Sequence, residues 1–259
     1  MSSGLLATAS QYSQPQQLQN SHGELVALQR RRLGFSVSGL RASRSTVGGA
    51  ARGGCLSDKD ELKPIVPPMQ PQPMASNQDG SPVVQLYSVS TISARPTFFV
   101  YIPQTSAQNA EFTLSDEMGK DVVEATFALP RTPGVVGLTL PSNTSSLEVG
   151  KTYKWSVQIL CPARDMDGDN GANPTINGEV ERIQPPDTLV NIGKVAPSDR
   201  PDLYAKSQIW YDSISSLAEL QYANPQDLTL KQDWVSLLKS VNLDTVAEAP
   251  LLPEVTLLH

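Results

Sequence analysis

The stretch LEVGKTYKWSVQILC, residues 147–161, indicates the fold of this chain more clearly than any other. Leu147, Gly150 and Tyr153 follow one another at intervals of three residues before an alternating run, which is the pattern of a tyrosine corner. In that device a tyrosine hydroxyl hydrogen-bonds to backbone upstream and fixes the turn into the penultimate strand of a β-sandwich. Apolar residues then occupy every second position, so Trp155 shares the inward face of the strand. We therefore predict that Trp155 belongs to the core and not to a ligand-stacking surface.

Six more short apolar runs, separated by turn residues, accompany this strand. Together they predict strands at residues 83–90, 97–102, 111–115, 122–129, 136–140, 153–161 and 175–183. No segment between these runs has the pattern of a crossover helix, which counts against a parallel sheet. The fold class that we predict is mainly β, an immunoglobulin- or fibronectin-like antiparallel β-sandwich.

Helical periodicity replaces strand alternation in the C-terminal part of the chain. One helix is predicted over residues 201–222, with Trp210 on its apolar side. A second is predicted over residues 228–240, with Trp234 on its apolar side. Two short amphipathic helices cannot bury their apolar faces alone. We therefore predict a small C-terminal α-helical hairpin that packs on the sandwich or on a partner.

Composition divides the chain into five parts. We predict a disordered N-terminal tail at 1–47, a Gly/Pro-rich extended segment at 48–82, the β-sandwich at 83–185, the helical module at 186–245 and a C-terminal tail at 246–259. Arginines cluster in the N-terminal part, so contact with an anionic surface is an alternative to a solvated tail. The overall net charge of -6 does not favour a nucleic-acid partner.

The chain has 2 histidines, His22 and His259, and both lie outside the predicted folded region. Histidine is the usual general base and the commonest metal ligand near neutral pH, so histidine-dependent nucleophilic schemes and most zinc or iron sites are excluded there. We therefore predict a non-enzymatic protein without catalytic residues or cofactors. No apolar run is long enough for a transmembrane segment. Residues 1–20 lack the pattern of a secretory signal, which taken alone predicts a cytoplasmic protein.

Cys55 and Cys161 are the 2 cysteines of the chain. A disulfide between them would tie the glycine-rich N-terminal segment to the end of a strand, and the chain-entropy model assigns so long a loop about 4 kcal/mol. Two free thiols, as in a reducing compartment, explain the same residues. The residues themselves leave both alternatives open.

Acidic residues offer two further candidate sites. Asp165, Asp167 and Asp169 stand at alternate positions, as in calcium-binding loops, but the glycine and the bidentate glutamate of such a loop are missing from their places. An ordinary polar hairpin loop has the same composition. Glu179 and Glu181 share one face of a predicted strand, where exposed decoration is a simpler explanation than a catalytic pair.

Seven segments, in this order, resemble a cyanobacterial family known as domain of unknown function nine-two-eight. They are GGAARGGC (48–55), ARPTFFVYIP (94–103), AEFTLSDEMGK (110–120), LEVGKTYKWSVQILC (147–161), INGEVERI (176–183), LYAKSQIWYDSISSLAEL (203–220) and DWVSLLKSVNL (233–243). The resemblance implies an exported protein, without established activity, that works beside other envelope or secreted components. It also implies that the family's cysteine pair corresponds to Cys55 and Cys161, whose oxidation export would favour.

The function that we predict is an exported, non-enzymatic binding or assembly module that acts through an unknown protein or a glycan. By the resemblance, its localisation is periplasmic or extracellular. One alternative is a calcium-stabilised structural domain that uses Asp165, Asp167 and Asp169. A remote alternative is a hydrolase that uses carboxylates alone, which requires two acids in one cleft.

Overall fold

Two β-sheets and a group of short helices make up the fold. The computed structural model describes residues 32–43, 55–57, 60–69, 86–162 and 173–257. Within these ranges, nine strands lie in two sheets, and four α-helices lie between the eighth and ninth strands. All of the described residues belong to one compact unit. The protein is therefore mainly β, as predicted, with two mixed sheets.

The larger sheet contains β2 (Val89–Thr91), β4 (Asn109–Ser115), β5 (Asp121–Ala128), β7 (Thr152–Leu160) and β8 (Thr175–Arg182). Their order across the sheet is β2-β8-β7-β4-β5. Neighbouring strands are antiparallel except β2 and β8, which are parallel. Alternation in the sequence builds this sheet, because every second residue of β4, β5 and β7 is buried on one face.

The smaller sheet contains β1 (Lys63–Pro64), β3 (Thr97–Ile102), β6 (Gly134–Thr139) and β9 (Val255–Thr256). Its order is β1-β3-β6-β9, and β6 and β9 are parallel. The prediction of purely antiparallel pairing is therefore wrong, since each sheet contains one parallel pair at an edge. In both pairs a very short strand joins a distant segment of chain, and alternation within a strand does not reveal which distant partner it will choose.

Six of the predicted strands match observed strands to within a residue or two at each end. The exception is the strand predicted at 83–90, of which residues 83–85 lie outside the described residues. Leu86 and Tyr87 form isolated bridges with Pro68 and Ala42. The regular strand β2 begins only at Val89.

The apolar faces of the two sheets meet at Phe98 of β3. Its ring centroid lies 5.2 Å from that of Phe112 in β4 and 5.6 Å from that of Trp155 in β7. All three side chains are buried. Aromatic pairs at this separation add to the stabilisation from burial itself. The centre of the core therefore lies between β3 of one sheet and β4 and β7 of the other.

The helices are α1 (Arg200–Lys206), α2 (Trp210–Ala223), α3 (Leu228–Lys239) and α4 (Asp244–Ala247). The prediction of one helix over 201–222 is wrong, because the chain breaks between α1 and α2. Gln208 takes a φ of 59°, and its side-chain amide donates to the carbonyls of Ser36 and Ser38. A non-glycine residue in this conformation carries no clear sequence signal. No described helix is both long and apolar enough to cross a bilayer.

Helix α3 packs on the second face of β3. Asp227 caps its N-terminus, because the carboxylate accepts hydrogen bonds from the backbone N–H groups of Thr229 and Leu230. Further along, the ring of Trp234 lies 6.0 Å from that of Phe99. Since Phe98 and Phe99 point to opposite faces of a strand, the smaller sheet has the larger sheet on one side and α3 on the other.

The predicted tails contribute to this core. Within residues 1–47, predicted to be disordered, the structure describes 32–43, where Phe35 is buried with its ring 5.1 Å from that of Trp210. The prediction is wrong for 32–43, and residues 1–31 and 44–47 lie outside the described part. In the predicted C-terminal tail, β9 pairs with β6 and Leu257 is buried. The composition of these segments did not predict the contacts, because their few apolar residues stand among polar ones.

The predicted extended segment at 48–82 is more than a tether where it is described. Lys63–Pro64 pairs with β3, and Leu62, Ile65 and Val66 beside it are buried. The carbonyl of Ile65 also accepts a hydrogen bond from the indole of Trp210 at 2.9 Å. An extended segment of the N-terminal part thus links the smaller sheet to α2.

Candidate functional site

The turn before β7 has the contacts of a tyrosine corner. The Tyr153 hydroxyl accepts a hydrogen bond from the backbone N–H of Glu148 at 2.9 Å. Gly150 has a φ of +83°, a conformation that favours glycine, and its N–H donates to the carbonyl of Arg182 at 2.7 Å. Leu147 is buried beneath the turn. The three residues singled out in the sequence therefore lie together in one structural turn.

The sulfur atoms of Cys55 and Cys161 form a disulfide, and the alternative of two free thiols is wrong. The bond joins the chain before β1 to the chain just after β7. Beside it, Leu56 makes an isolated bridge with Thr105, whose hydroxyl donates to the carbonyl of Cys55 at 3.2 Å. The disulfide and this bridge fix the same segment.

The three predicted structural tryptophans, Trp155, Trp210 and Trp234, are all buried. The indole of Trp155 donates to the Tyr211 hydroxyl at 2.8 Å, and that hydroxyl donates to the carbonyl of Glu179 at 3.0 Å. Burial raises the pKa of Tyr211, which keeps this hydroxyl protonated. The network joins α2 to β7 and β8 inside the core.

The acidic residues predicted as candidate sites are the three aspartates at 165–169 and the two glutamates of β8. Asp165, Asp167 and Asp169 lie outside the described residues. No group of three or more metal-ligating side chains occurs in the ranges that the structure describes. Glu179, predicted to be exposed, is 1% exposed, because the chain around β1 packs against β8. Glu181 forms a salt bridge with Arg41 at 2.9 Å. These two glutamates therefore do not form an exposed pair.

A polar cleft of about 410 Å³ lies where α1 and α2 meet the chain from β2 to β3. We call it the α2 cleft. Its wall contains seven hydroxyl-bearing residues, two carboxylates and two guanidinium groups: Thr91, Ser93, Thr97, Tyr204, Tyr211, Ser215, Ser216, Asp212, Glu219, Arg95 and Arg200. The volume is within the range of small-molecule sites.

Hydrogen bonds inside the protein fix one wall of the α2 cleft. The Asp212 carboxylate accepts from the Thr91 hydroxyl at 2.7 Å and from the Ile92 N–H at 3.1 Å. The guanidinium of Arg95 donates twice to the carbonyl of Thr144, at 3.0 and 2.8 Å. The bonds of Asp212 hold the β2–β3 connection against α2, and those of Arg95 hold it against the chain between β6 and β7, so this wall of the cleft is preformed.

Three groups of the α2 cleft remain available to a ligand. The side chains of Tyr204, Ser215 and Glu219 make no hydrogen bond to the described residues. They stand on α1 and α2 beside the fixed wall. A hydroxyl both donates and accepts, whereas a carboxylate accepts only. The free set therefore complements a ligand rich in hydroxyl groups.

Desolvation raises the pKa of both carboxyl groups of the α2 cleft. For Asp212 the hydrogen bonds from Thr91 and Ile92 oppose the shift, and the charge of Glu219 adds to it. For Glu219 the charge of Glu254 adds to desolvation, and Arg200 opposes both. Desolvation likewise raises the pKa of Tyr204. Each of these groups therefore holds its proton more readily than it would on an open surface.

The raised pKa of Asp212 predicts that ionisation of this carboxyl lowers the free energy of unfolding. A carboxyl whose pKa is higher in the folded than in the unfolded state stabilises the fold at pH values below its unfolded pKa, and this contribution is lost as the pH rises through the folded pKa. We therefore expect the free energy of unfolding of Asp212→Asn, relative to that of the wild type, to be higher at pH 7 than at pH 3. Urea unfolding at both values measures this, with Asp121→Asn on the exposed start of β5 as the control. If the free energies of unfolding of Asp212→Asn and the wild type differ by the same amount at pH 3 and at pH 7, the raised pKa of Asp212 is contradicted.

Sequence reasoning missed the α2 cleft. Asp212 stands in the first turn of α2, where an acidic residue is ordinary in any helix. Its partner Thr91 lies 121 positions away along the chain. The helix break at Gln208, which sets where α2 begins, was also unforeseen. Only the tertiary arrangement brings these groups together.

The described structure defines a mainly β, disulfide-linked protein with a preformed polar cleft beside its helices. The family model described as Domain of Unknown Function (DUF928) matches residues 47–251, and the chain belongs to this family. No curated protein matches the chain. The solution structure of the fn3 domain of human collagen alpha-1(XX) chain is similar at 14% identity and a TM-score of 0.21, over 38% of this chain and 86% of that one. A TM-score this low does not establish a common fold.

Proposed function

We propose that the protein is an exported, non-enzymatic binding module that holds a glycan in the α2 cleft. In this proposal the two facing sheets act as an immunoglobulin- or fibronectin-like sandwich, and α2 and α3 act as a helical hairpin of which α2 presents one wall of the cleft. The observation that carries it is the combination of a fixed wall with the free side chains of Tyr204, Ser215 and Glu219.

The chemistry of the free groups favours a sugar over an apolar ligand. Each hydroxyl of a sugar is a donor and an acceptor at once, and the cleft offers acceptors at Glu219 and both functions at Ser215 and Tyr204. A tyrosine ring also provides an apolar face on which a sugar ring can stack. Because the wall formed around Asp212 is preformed, little ordering free energy opposes binding.

The disulfide supports the export part of the proposal. Disulfides form and persist in oxidising compartments and are rare where thiols are kept reduced. A periplasmic or extracellular location in a cyanobacterium is the form that the family resemblance suggests. The mass of the mature protein, measured without reductant from the native cell, tests it: the oxidised form in the periplasmic or secreted fraction supports export, and a reduced form in the cytosol contradicts it.

A printed glycan array followed by calorimetry tests the binding function. We expect the wild type to bind a restricted set of glycans. Glu219→Gln should weaken the best one about tenfold through the loss of the acceptor's charge, and Ser215→Ala about tenfold through the loss of a hydrogen bond. Glu124→Gln, on the exposed side of β5, is the matched control and should bind as the wild type does. Array binding that Glu219→Gln and Ser215→Ala leave unchanged, or no binding at all, would contradict the proposal.

A carboxylate hydrolase is the second candidate, because Asp212 and Glu219 lie in one cleft as that chemistry requires. The bonds of Asp212 to Thr91 and Ile92 argue for a structural role instead. Aryl glycosides incubated with the wild type and with Glu219→Gln distinguish the two. Release of the aryl group by the wild type alone would favour the hydrolase.

The calcium-stabilised alternative stays a prediction, since Asp165, Asp167 and Asp169 lie outside the described residues. Calcium bound by these carboxylates would stabilise the folded state by mass action. A melting temperature that is the same with calcium and with a chelator would end the idea.

A further inference from the structure

A second cavity, of about 460 Å³, lies where the C-terminal end of α2, helix α3 and residues 247–251 meet. We call it the α3 cavity. It shares no lining residue with the α2 cleft. Apolar side chains such as Val235 and Leu251 form part of its wall, together with Gln221, Lys231 and Trp234. A cavity of this size with few polar groups in an apolar wall has the make-up of a small-molecule site.

Two residues of this wall each carry a buried N–H group that lacks an acceptor. These groups are Nε1 of Trp234 and Nε2 of Gln221, neither of which has a hydrogen-bond partner among the residues that the structure describes. The indole N–H groups of Trp155 and Trp210, in contrast, both donate to protein oxygens. Unpaired buried donors are rare, because they lose their bonds to water and gain nothing in return. Two in one cavity wall indicate a ligand that brings the acceptor.

The unpaired charge of the α3 cavity is positive. Lys231 has no salt-bridge partner in the described part of the chain. The carboxylate in the same wall, Glu248, is already paired with Lys239 at 2.8 Å. An acceptor that is also an anion therefore fits both the two donors and the lysine.

We propose that the α3 cavity binds a small amphiphilic carboxylate. Its oxygens accept from Trp234 and Gln221 and pair with Lys231, and its hydrocarbon body packs on the apolar wall. This site is independent of the proposed glycan function, since the two cavities have no residue in common.

Calorimetry of the whole protein with octanoate as the probe tests the proposal. Octanol and octylamine have the same hydrocarbon length and are the controls. We expect octanoate to bind one to one, octanol to bind about tenfold more weakly because it lacks the charge-assisted bonds, and octylamine not to bind. No octanoate binding, or equal binding of octanoate and octanol, would overturn the proposal.

Substitutions locate the octanoate site. Trp234→Phe removes the N–H with the pyrrole part of the indole and keeps an aromatic ring, Gln221→Met removes the amide, and Lys231→Met removes the charge. We expect each to weaken octanoate about tenfold. Lys194→Met removes an exposed lysine outside the cavity and should leave binding unchanged. Wild-type affinity in all three cavity variants would overturn the assignment.

The ligand-free stability of the tryptophan variants provides an independent measurement. Because the Trp234 indole N–H has no partner, Trp234→Phe should lower the melting temperature only through the ring volume that it removes. Trp155→Phe, which removes the same ring volume and also a buried hydrogen bond to Tyr211, should lower it further. If Trp234→Phe lowers the melting temperature as much as Trp155→Phe does, the Trp234 N–H has an acceptor within the protein and the proposal fails.

Discussion

Replacing Cys161 by serine should lower the free energy of unfolding by about 4 kcal/mol, one of the two largest effects that we expect from a single substitution. The bond joins Cys55 to Cys161 across 106 positions of sequence. Opening a loop of that length returns much conformational entropy to the unfolded chain. The bond also retains the buried side chain of Leu56. Urea unfolding without reductant measures the loss.

The matched controls use the same bond. Cys55→Ser should destabilise the protein as much as Cys161→Ser, and the double variant no more than either, because all three lack one and the same link. Reductant should destabilise the wild type and leave the double variant unchanged. A loss below about 1 kcal/mol would mean that the link contributes far less than the chain-entropy model assigns it.

Gly178→Ala should destabilise the core by about 3 kcal/mol. A Cβ atom at Gly178 would lie 2.5 Å from Cε2 and from Cζ2 of Trp155, which is far inside contact distance. The tryptophan cannot move aside easily, because it is buried and its N–H is bonded to Tyr211. We expect a lower urea midpoint and a changed near-ultraviolet circular dichroism signal, since the indole must shift.

Gly193→Ala is the control for this substitution. Nothing lies within 4 Å of a Cβ atom at Gly193, and its backbone conformation is open to other residues. We expect its stability to stay within about 0.5 kcal/mol of the wild type. Equal effects at Gly178 and Gly193 would mean that the packing of β8 against Trp155 is looser than the structure has it.

The sequence predicted those parts of the fold that depend on local pattern. Alternating residues in β4, β5 and β7 located the strands, because one face of each is buried. The spacing of Leu147, Gly150 and Tyr153 predicted the turn before β7, because glycine there takes a positive φ. The disulfide came from the family resemblance and not from the residues alone.

The parts that the sequence did not predict depend on distant contacts. The parallel edge strands β2 and β9 are very short, and their pairing is fixed by the path of the chain between them and their partners. The α2 cleft requires Asp212 to meet Thr91 across the fold. The missing acceptor of Trp234 is likewise visible only once its neighbours are known. None of these features has a local signature.

The central claim is that the α2 cleft is the site where this protein binds a glycan, and nuclear magnetic resonance tests it most directly. The 15N-labelled whole chain would be titrated with the oligosaccharides that bind best on the array. We expect the largest shift changes at amides of the β2–β3 connection, including Ile92, and of α2 near Ser215 and Glu219, with clearly smaller changes in Glu219→Gln at the same concentration. Shift changes confined to other parts of the chain, or no changes at all, would contradict the account.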